Sequence, residues 1–378
     1  LLHSVPIDGI CDPRFERVRE TFEKNFAKHD DVGASVAVTL DGEYVVDLWG
    51  GYKDPERTEL WQHDTIVNVF STTKTMAAMC LLMLADRGQV DLYAPVAIYW
   101  PEFSENGKEG VEVRHFLSHS AGLAGMDESI TGDDLYDTKK VVDALARQAP
   151  WWEPGTKSGY HAATQGYLIG EVVRRITGKS LGTYFREEIA TPLEADFHIG
   201  TPSELAPRIG ALIPPDVGLA QQIPSDSLAS RAFASPAVDA RAANTAAWRA
   251  AELPALNGHG NARSVARVQT VMANEGEAFG CRLLSEAGTR RIFERQTSGK
   301  DMVLGVPISY GMGYGLTNTE VPLGPNERIA FWGGWGGSVV VIDQDARLCV
   351  AYVMNRMEGN LVGDSRGFGL LFAAHACL

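Results

Sequence analysis

The sequence predicts a mixed α/β (α+β) fold: an antiparallel sheet flanked by helices, built from both chain ends, with a mostly helical domain inserted between them. Three observations predict it. Strand and turn patterns cluster near the N-terminus and again near the C-terminus; the turns joining them are tight, as antiparallel neighbours require; and helical periodicity dominates the middle. The chain has 378 residues, 45% apolar and 22% charged, a globular composition with length for about two domains. The predicted division joins 1–91 and 300–378 in one α/β domain around a helical insertion, 92–299.

Each element has a local reason. Asp12 and Pro13 form an N-cap and a first helical position, and Phe15, Val18, Phe22 and Phe26 then share one helical face. Gly33 to Leu40 is an apolar, β-branched strand. Asp41-Gly42 is a type I′ turn pair, and Glu43 to Trp49 resumes as a strand. Ile66 to Phe70 is strand-like and leads into an apolar helix that runs to Asp86. Ile169, Val172, Val173 and Ile176 mark one helix of the middle region, and Val265 to Ala273 another. The stretch rich in Ala, Ser and Pro, 202–254, reads as long surface loops. Arg328 to Trp332, Ser338 to Asp343 and Leu348 to Met354 read as three strands, the last two joined around Gln344-Asp345, and a helix over Ser365 to Cys377 closes the chain.

Composition excludes several functions. Lys plus Arg is 34 and Asp plus Glu 48, a net charge of −14, so no basic face for nucleic acid and no attraction to anionic membranes is expected. The longest apolar run, Met76 to Ala85, is far short of the ~20 residues of a membrane span and reads as a buried helix. Leu1-Leu2-His3-Ser4 has neither a basic region nor a long apolar stretch, so no signal peptide is read there. Cys11, Cys80, Cys281, Cys349 and Cys377 are few, odd in number and scattered. They predict reduced thiols in a cytoplasmic protein, with neither a disulfide framework nor a zinc site. His115 and His119 have no carboxylate or thiol set at ligand spacing and read as structural; no metal or organic cofactor is expected.

Three stretches carry chemistry. Ser71-Thr72-Thr73-Lys74 opens the apolar helix. Residues i and i+3 share a helical face, so the Lys74 amine can reach the Ser71 hydroxyl. Burial and the positive end of the helix both disfavour a charged lysine there, which suits a base beside a nucleophile. An N-cap serine and a surface lysine would spell the same four letters, but the helix that follows is apolar all round. Ser158-Gly159-Tyr160-His161-Ala162 lies in a loop, where a tyrosine serves as acid or base near a cation, or simply packs. Trp332-Gly333-Gly334-Trp335-Gly336-Gly337-Ser338 places four glycines in a strand-rich segment. That is costly unless a ligand or another backbone approaches closely; a bulged strand against aromatics is the plainer reading. Gly178-Lys179-Ser180-Leu181-Gly182 also spells G-x-S-x-G, but that motif needs a preceding strand. Here a helix precedes it, Gly178 reads as that helix's C-terminal glycine, and Ser180 as the N-cap of a helix over Leu181 to Ile189.

In this order the three stretches resemble the serine β-lactamases and penicillin-binding proteins, and more closely the family VIII carboxylesterases, which share the class C β-lactamase fold. Leu117 to Leu123, Gly166 to Glu171 and Asn257 to Ser264 add to the resemblance, which spans about 33–354. It implies a β-lactamase/DD-peptidase-like fold, with Ser71 the acylated nucleophile. Lys74 and Tyr160 would be the pair that removes its proton and later activates water, and the Ser71 and Trp335 N–H groups the oxyanion hole. Trp332-Gly333-Gly334 would stand where β-lactamases have Lys-Thr-Gly. Either Trp-Gly-Gly copy fits; the first is preferred because Asp343 then falls at the strand's end. With His161, these three are the implied substrate-binding positions. Two departures bear on substrate. Tyr160-His161-Ala162 replaces Tyr-x-Asn, removing an amide, and Trp332 replaces a lysine that would attract a β-lactam carboxylate. The resulting expectation is a serine hydrolase of short- to medium-chain esters, acting on a small-molecule ester. A β-lactamase, D-amino peptidase, amidase, lactonase or acyltransferase on the same scaffold is the alternative, and a covalent sensor that never deacylates is a third reading.

Overall fold

The computed structural model describes residues 5–378, with the side chain of residue 220 left aside; the reading of Leu1 to Ser4 lies outside the described residues. The main sheet has eight strands: β1 (Ile7–Cys11), β2 (Gly33–Leu40), β3 (Glu43–Gly51), β4 (Ser309–Tyr310), β5 (Gly315–Leu316), β6 (Ile329–Gly333), β7 (Val339–Asp343) and β8 (Leu348–Met354). Their order is β1-β3-β2-β8-β7-β6-β5-β4, every pairing antiparallel. The seam between the two chain ends is the β2–β8 pair, which runs in register from Leu40 opposite Leu348 to Ala34 opposite Met354. Both strands are buried almost throughout, as centre strands covered on two faces must be.

The hairpin β2–β3 turns at Asp41 and Gly42, with φ of 52° and 86°, the positive pair a type I′ turn requires. Asp12 caps a short 3₁₀ turn by accepting from the Arg14 N–H at 2.8 Å. The helix that follows, α1 (Glu16–Lys28), buries Val18, Phe22 and Phe26. α2 (Thr73–Asp86) is buried from Thr73 through Leu84. α3 (Thr164–Thr177) packs beside α2. α4 (Ala262–Ala273), which lies within 92–299, covers β8, β2 and β7, while α1 packs with α5 (Ser365–His375).

The structure departs from the sequence reading in three places. The sheet gains β1 and the two-residue strands β4 and β5. The strand expected over Ile66 to Phe70 shrinks to Val67–Asn68, paired with His259–Gly260 in a separate two-residue ladder. The helix after Ser180 is α-helical only over Leu181–Phe185 and widens into a π turn through Ala190. No helix among the described residues is long and apolar enough to cross a membrane.

Candidate active site

Ser71 sits in a 3₁₀ turn, Phe70–Thr72, that runs directly into α2. Phe70 takes φ of +43°, a left-handed conformation a bulky side chain adopts only where its surroundings fix it. Here they do. The Thr73 hydroxyl donates to the Phe70 carbonyl at 2.6 Å, and the Phe70 ring packs on Trp248 and Trp335. The bend brings Ser71 to the mouth of the helix with its Oγ facing Lys74 one turn on.

The Lys74 Nζ is 3.0 Å from Ser71 Oγ, 2.6 Å from the Ala162 carbonyl and 3.1 Å from the Ala255 carbonyl. No carboxylate is among these partners, and burial alone drives the Lys74 pKa well below the ordinary lysine range. A neutral amine has two N–H groups and one lone pair. The two carbonyls take the N–H groups, which leaves the lone pair for the Ser71 proton. On the other side the Tyr160 hydroxyl donates to Ser71 Oγ at 2.5 Å. Burial raises the Tyr160 pKa, against smaller opposing effects of Ser71 and Trp332, so this phenol stays protonated at neutral pH. The two neighbours of the serine therefore differ: one is ready to accept a proton and the other holds one.

The glycine-rich turn closes the third side. Ser338 donates from its hydroxyl to the Val69 carbonyl at 2.8 Å and lies 2.9 Å from the Thr72 hydroxyl. Gly334 presses against the same segment: a Cβ there would stand 2.1 Å from the Val69 carbonyl oxygen and 3.2 Å from the Ser71 nitrogen. Only a residue without a side chain admits this approach, which sets Trp335 beside Ser71. Among the described residues the Trp335 N–H has no hydrogen-bond acceptor. Arg366, fully buried, fixes the turn from behind by donating to the Gly336 carbonyl at 2.5 Å while pairing with Asp364 and Asp31.

The structure thus brings Ser71, Lys74, Tyr160 and Trp335 together, and it places the implied substrate-binding residues otherwise. The His161 ring is fully buried away from the cavity at Ser71. Its Nδ1 lies 2.6 Å from the Gly159 carbonyl, and its Nε2 accepts the Leu123 N–H at 3.1 Å. Trp332 is also buried, packed among His119, Tyr160 and Tyr310. Gly333 meets the backbone of Gly363. These residues shape the wall behind Tyr160 and do not line the cavity. Ser180 caps its helix by accepting from the Thr183 N–H at 3.3 Å and donates to Glu252 at 2.8 Å, with no part in the cluster. His115 and His119 are buried, and burial lowers both pKa values, that of His115 to about 4.

Sequence reasoning missed Asp301. Its Oδ1 accepts the Tyr160 N–H at 3.1 Å, the Val303 N–H at 2.9 Å and the Leu304 N–H at 2.8 Å; its Oδ2 accepts the Tyr310 hydroxyl at 2.9 Å. It is fully buried, which raises its pKa while these four donors pull the other way. A carboxylate 141 residues from Tyr160 leaves no local signal. Also unforeseen are two cavities. A small chamber of about 40 Å³ holds Ser71, Tyr160 and Trp335. A larger one of about 470 Å³ adjoins it, sharing Leu219, Phe233 and Leu361.

Comparison with known proteins gives the chain a family. The family model described as Beta-lactamase matches residues 18–374. The esterase/beta-lactamase LipL of Mycobacterium tuberculosis (strain ATCC 25618 / H37Rv) is 37% identical over 374 residues, covering 95% of this chain and 86% of LipL. A crystal structure of a family VIII carboxylesterase is 43% identical with a TM-score of 0.92, covering 99% of this chain and all of that one. A penicillin-binding protein homologue from Caulobacter crescentus is 36% identical with a TM-score of 0.89, again over 99% of this chain and all of that one. With its fold, its family match and its full-length relatives in agreement, the chain belongs to the beta-lactamase family of serine hydrolases.

Proposed function

We propose that the protein is a serine carboxylesterase that works through an acyl-enzyme on Ser71. The observation that carries this reading is the pair of contacts on Ser71 Oγ: Lys74 Nζ at 3.0 Å and the Tyr160 hydroxyl at 2.5 Å. Lys74 takes the serine proton as Oγ attacks the ester carbon, and the Ser71 and Trp335 N–H groups receive the developing oxyanion. Tyr160 gives its proton to the departing alkoxide and is reprotonated through Lys74. Water then repeats the sequence on the acyl-enzyme.

The choice of esters over lactams rests on what lines the site. Among the described residues neither cavity wall contains a lysine or arginine to hold a carboxylate, and Ala162 offers a methyl group on the chamber wall. A pocket of this kind favours uncharged substrates. The names of the relatives support hydrolysis of esters, and one of them couples it with beta-lactamase activity.

The test is hydrolysis of p-nitrophenyl butyrate by wild type, Ser71→Ala and Lys74→Ala, beside a chromogenic cephalosporin. Wild type should turn over the ester, the serine variant should be inactive, and the lysine variant should fall by about 10²–10⁴-fold. A Ser71→Ala variant with full activity removes the nucleophile assignment, and faster turnover of the cephalosporin removes the preference for esters.

A further inference from the structure

The turn between β6 and β7 is rich in glycine, and Gly336 and Gly337 stand at φ of +102° and +128°. Glycine gives a turn freedom and little rigidity. The turn's own bonds run from the Gly334 N–H to the Ser338 carbonyl at 2.8 Å and from the Gly337 N–H to the Gly334 carbonyl at 3.2 Å. Yet this turn has to hold the Trp335 N–H, which has no acceptor among the described residues, beside Ser71. We propose that Arg366, which lines neither cavity, is the positioning residue for that donor, aiming it at the oxyanion through two peptide groups in series, a role that rests on the acyl-enzyme reading above.

The path runs atom by atom. Arg366 Nη2 donates to the Gly336 carbonyl at 2.5 Å. The N–H of that same peptide group belongs to Gly337 and donates to the Gly334 carbonyl. The N–H of this second peptide group belongs to Trp335 and is the free donor. A peptide group is planar and stiff, so fixing its carbonyl fixes the direction of its N–H. Hydrogen bonds linked in series also strengthen one another.

The guanidinium is itself held without slack. All five of its N–H groups are engaged. Nε bonds Asp364 at 3.1 Å. Nη1 bonds Asp31 at 2.7 Å and the Arg356 carbonyl at 3.0 Å, and Nη2 bonds Asp364 at 2.7 Å besides Gly336. Both carboxylates are buried; Asp31 also accepts from the Tyr352 hydroxyl at 2.5 Å, and Asp364 caps α5. The Arg356 contact matters because the segment just beyond it braces the far side of the turn. There the Gly336 N–H donates to the Asn360 carbonyl at 2.9 Å and the Glu358 N–H to the Gly336 carbonyl at 3.0 Å. One planar fork therefore sets both sides of the turn. It also accounts for Gly337: a Cβ there would stand 2.3 Å from Arg366 Nη2 and 2.4 Å from Asp364 Oδ2, so only glycine lets the guanidinium reach the turn.

The experiment compares wild type with Arg366→Lys on the full chain. Lysine keeps the buried charge beside both carboxylates, but its three donors on one nitrogen cannot reproduce the fork that also holds two carbonyls. The readouts are kcat and KM for p-nitrophenyl butyrate, with active sites counted by titration. Beside them stand the inhibition constants of an alkyl trifluoromethyl ketone, whose adduct with Ser71 carries an anionic oxygen, and of the corresponding alcohol, which forms no adduct. A donor lost from an oxyanion hole costs ~10²–10³-fold, so a displaced one should lower kcat at least about 10-fold with KM within about 2-fold. The ketone should weaken by at least the same ~10-fold while the alcohol binds as before. A merely structural role would lower Tm and the fraction of active enzyme but leave kcat per active site and the ketone-to-alcohol ratio unchanged. That result overturns the proposal, as does a smaller fall in kcat or one carried by KM. If Arg366→Lys does not fold, Arg366→Met combined with Asp364→Asn, which removes the cation together with one of its carboxylates, is read the same way. Failure of the acyl-enzyme reading shows separately: wild type then forms no ketone adduct, or Ser71→Ala keeps full turnover.

Discussion

Asp301 offers the sharpest test of how the site is held, because two substitutions there part company. In Asp301→Ala, two buried N–H groups, one half-buried N–H group and one buried hydroxyl lose their acceptor at once. Each orphaned donor costs about 1–3 kcal/mol; with water entering the vacated space the net loss is about 3–5 kcal/mol. In Asp301→Asn the amide oxygen can keep all three Oδ1 contacts, and the Tyr310 hydroxyl, free to rotate, accepts from the new NH₂ group. Only the charge assistance is lost, about 1–2 kcal/mol. For a chain of 378 residues, unfolding entropy makes 1 kcal/mol about 1.3 °C of Tm. Calorimetry should therefore read a drop of about 4–7 °C for alanine and about 1–3 °C for asparagine. Activity should follow the same split. The Tyr160 N–H is one of the lost donors, and a misplacement of ~1 Å at the reacting groups costs ~10²-fold. Alanine should lower kcat/KM by about that factor while asparagine stays within about tenfold. If asparagine is as damaging as alanine, charge and not acceptor geometry holds the loop. If alanine keeps full activity, the bond to the Tyr160 backbone is not what places its hydroxyl.

Three further outcomes are expected. Gly334→Ala should cost about 1–3 kcal/mol by overpacking and most of the proposed hydrolytic activity, since its Cβ meets the Val69 carbonyl at 2.1 Å and Ser71 lies alongside; thermal melting and steady-state kinetics read both. Ser180→Ala should lower stability by about 1 kcal/mol through loss of its cap and leave kcat unchanged; a large fall in kcat would make Ser180 a rival nucleophile. Acid should destabilise the fold below about pH 6.5. Burial depresses His161 to about 4 and His259 to about 3, so the unfolded chain binds protons first, and stability present above the unfolded pKa is lost as pH falls towards those values. At 1.36 kcal/mol per pH unit each ring removes about 2 kcal/mol by pH 5. A pH series of Tm should show the slope, and His161→Gln should flatten it.

The sequence was legible where a feature is local. The β2–β3 hairpin is written in an apolar, β-branched run and an Asp-Gly turn, and β8 begins and ends where its apolar run does. Ser71 and Lys74 declare themselves because helix geometry places i and i+3 together whatever the rest of the chain does. What failed was orientation. Trp332 was expected to face substrate, but successive residues of a strand point opposite ways. Its neighbour Phe331 lines the larger cavity, while Trp332 turns to His119 and Tyr160. The His161 ring is likewise turned inward, to backbone groups of Gly159 and Leu123. β4 and β5 are two residues each, too short for a period to show.

Lys74 shows why local legibility still stops short of chemistry. A Ser-x-x-Lys pattern places an amine beside a hydroxyl but leaves its charge open. An exposed lysine at a helix start is a cation and no base. What suits this one to the proposed role of base is that it is buried with two carbonyl acceptors from outside its own helix, one from the Tyr160 loop at Ala162 and one from the loop at Ala255. Those segments lie 88 and 181 residues away in sequence. Loosening either would admit water, raise the lysine pKa towards its ordinary range and protonate the amine at neutral pH. The proposed chemistry at Ser71 thus depends on how three distant segments pack, and a substitution that opens the Ala255 loop should move the pH dependence of kcat/KM upward before it changes the fold.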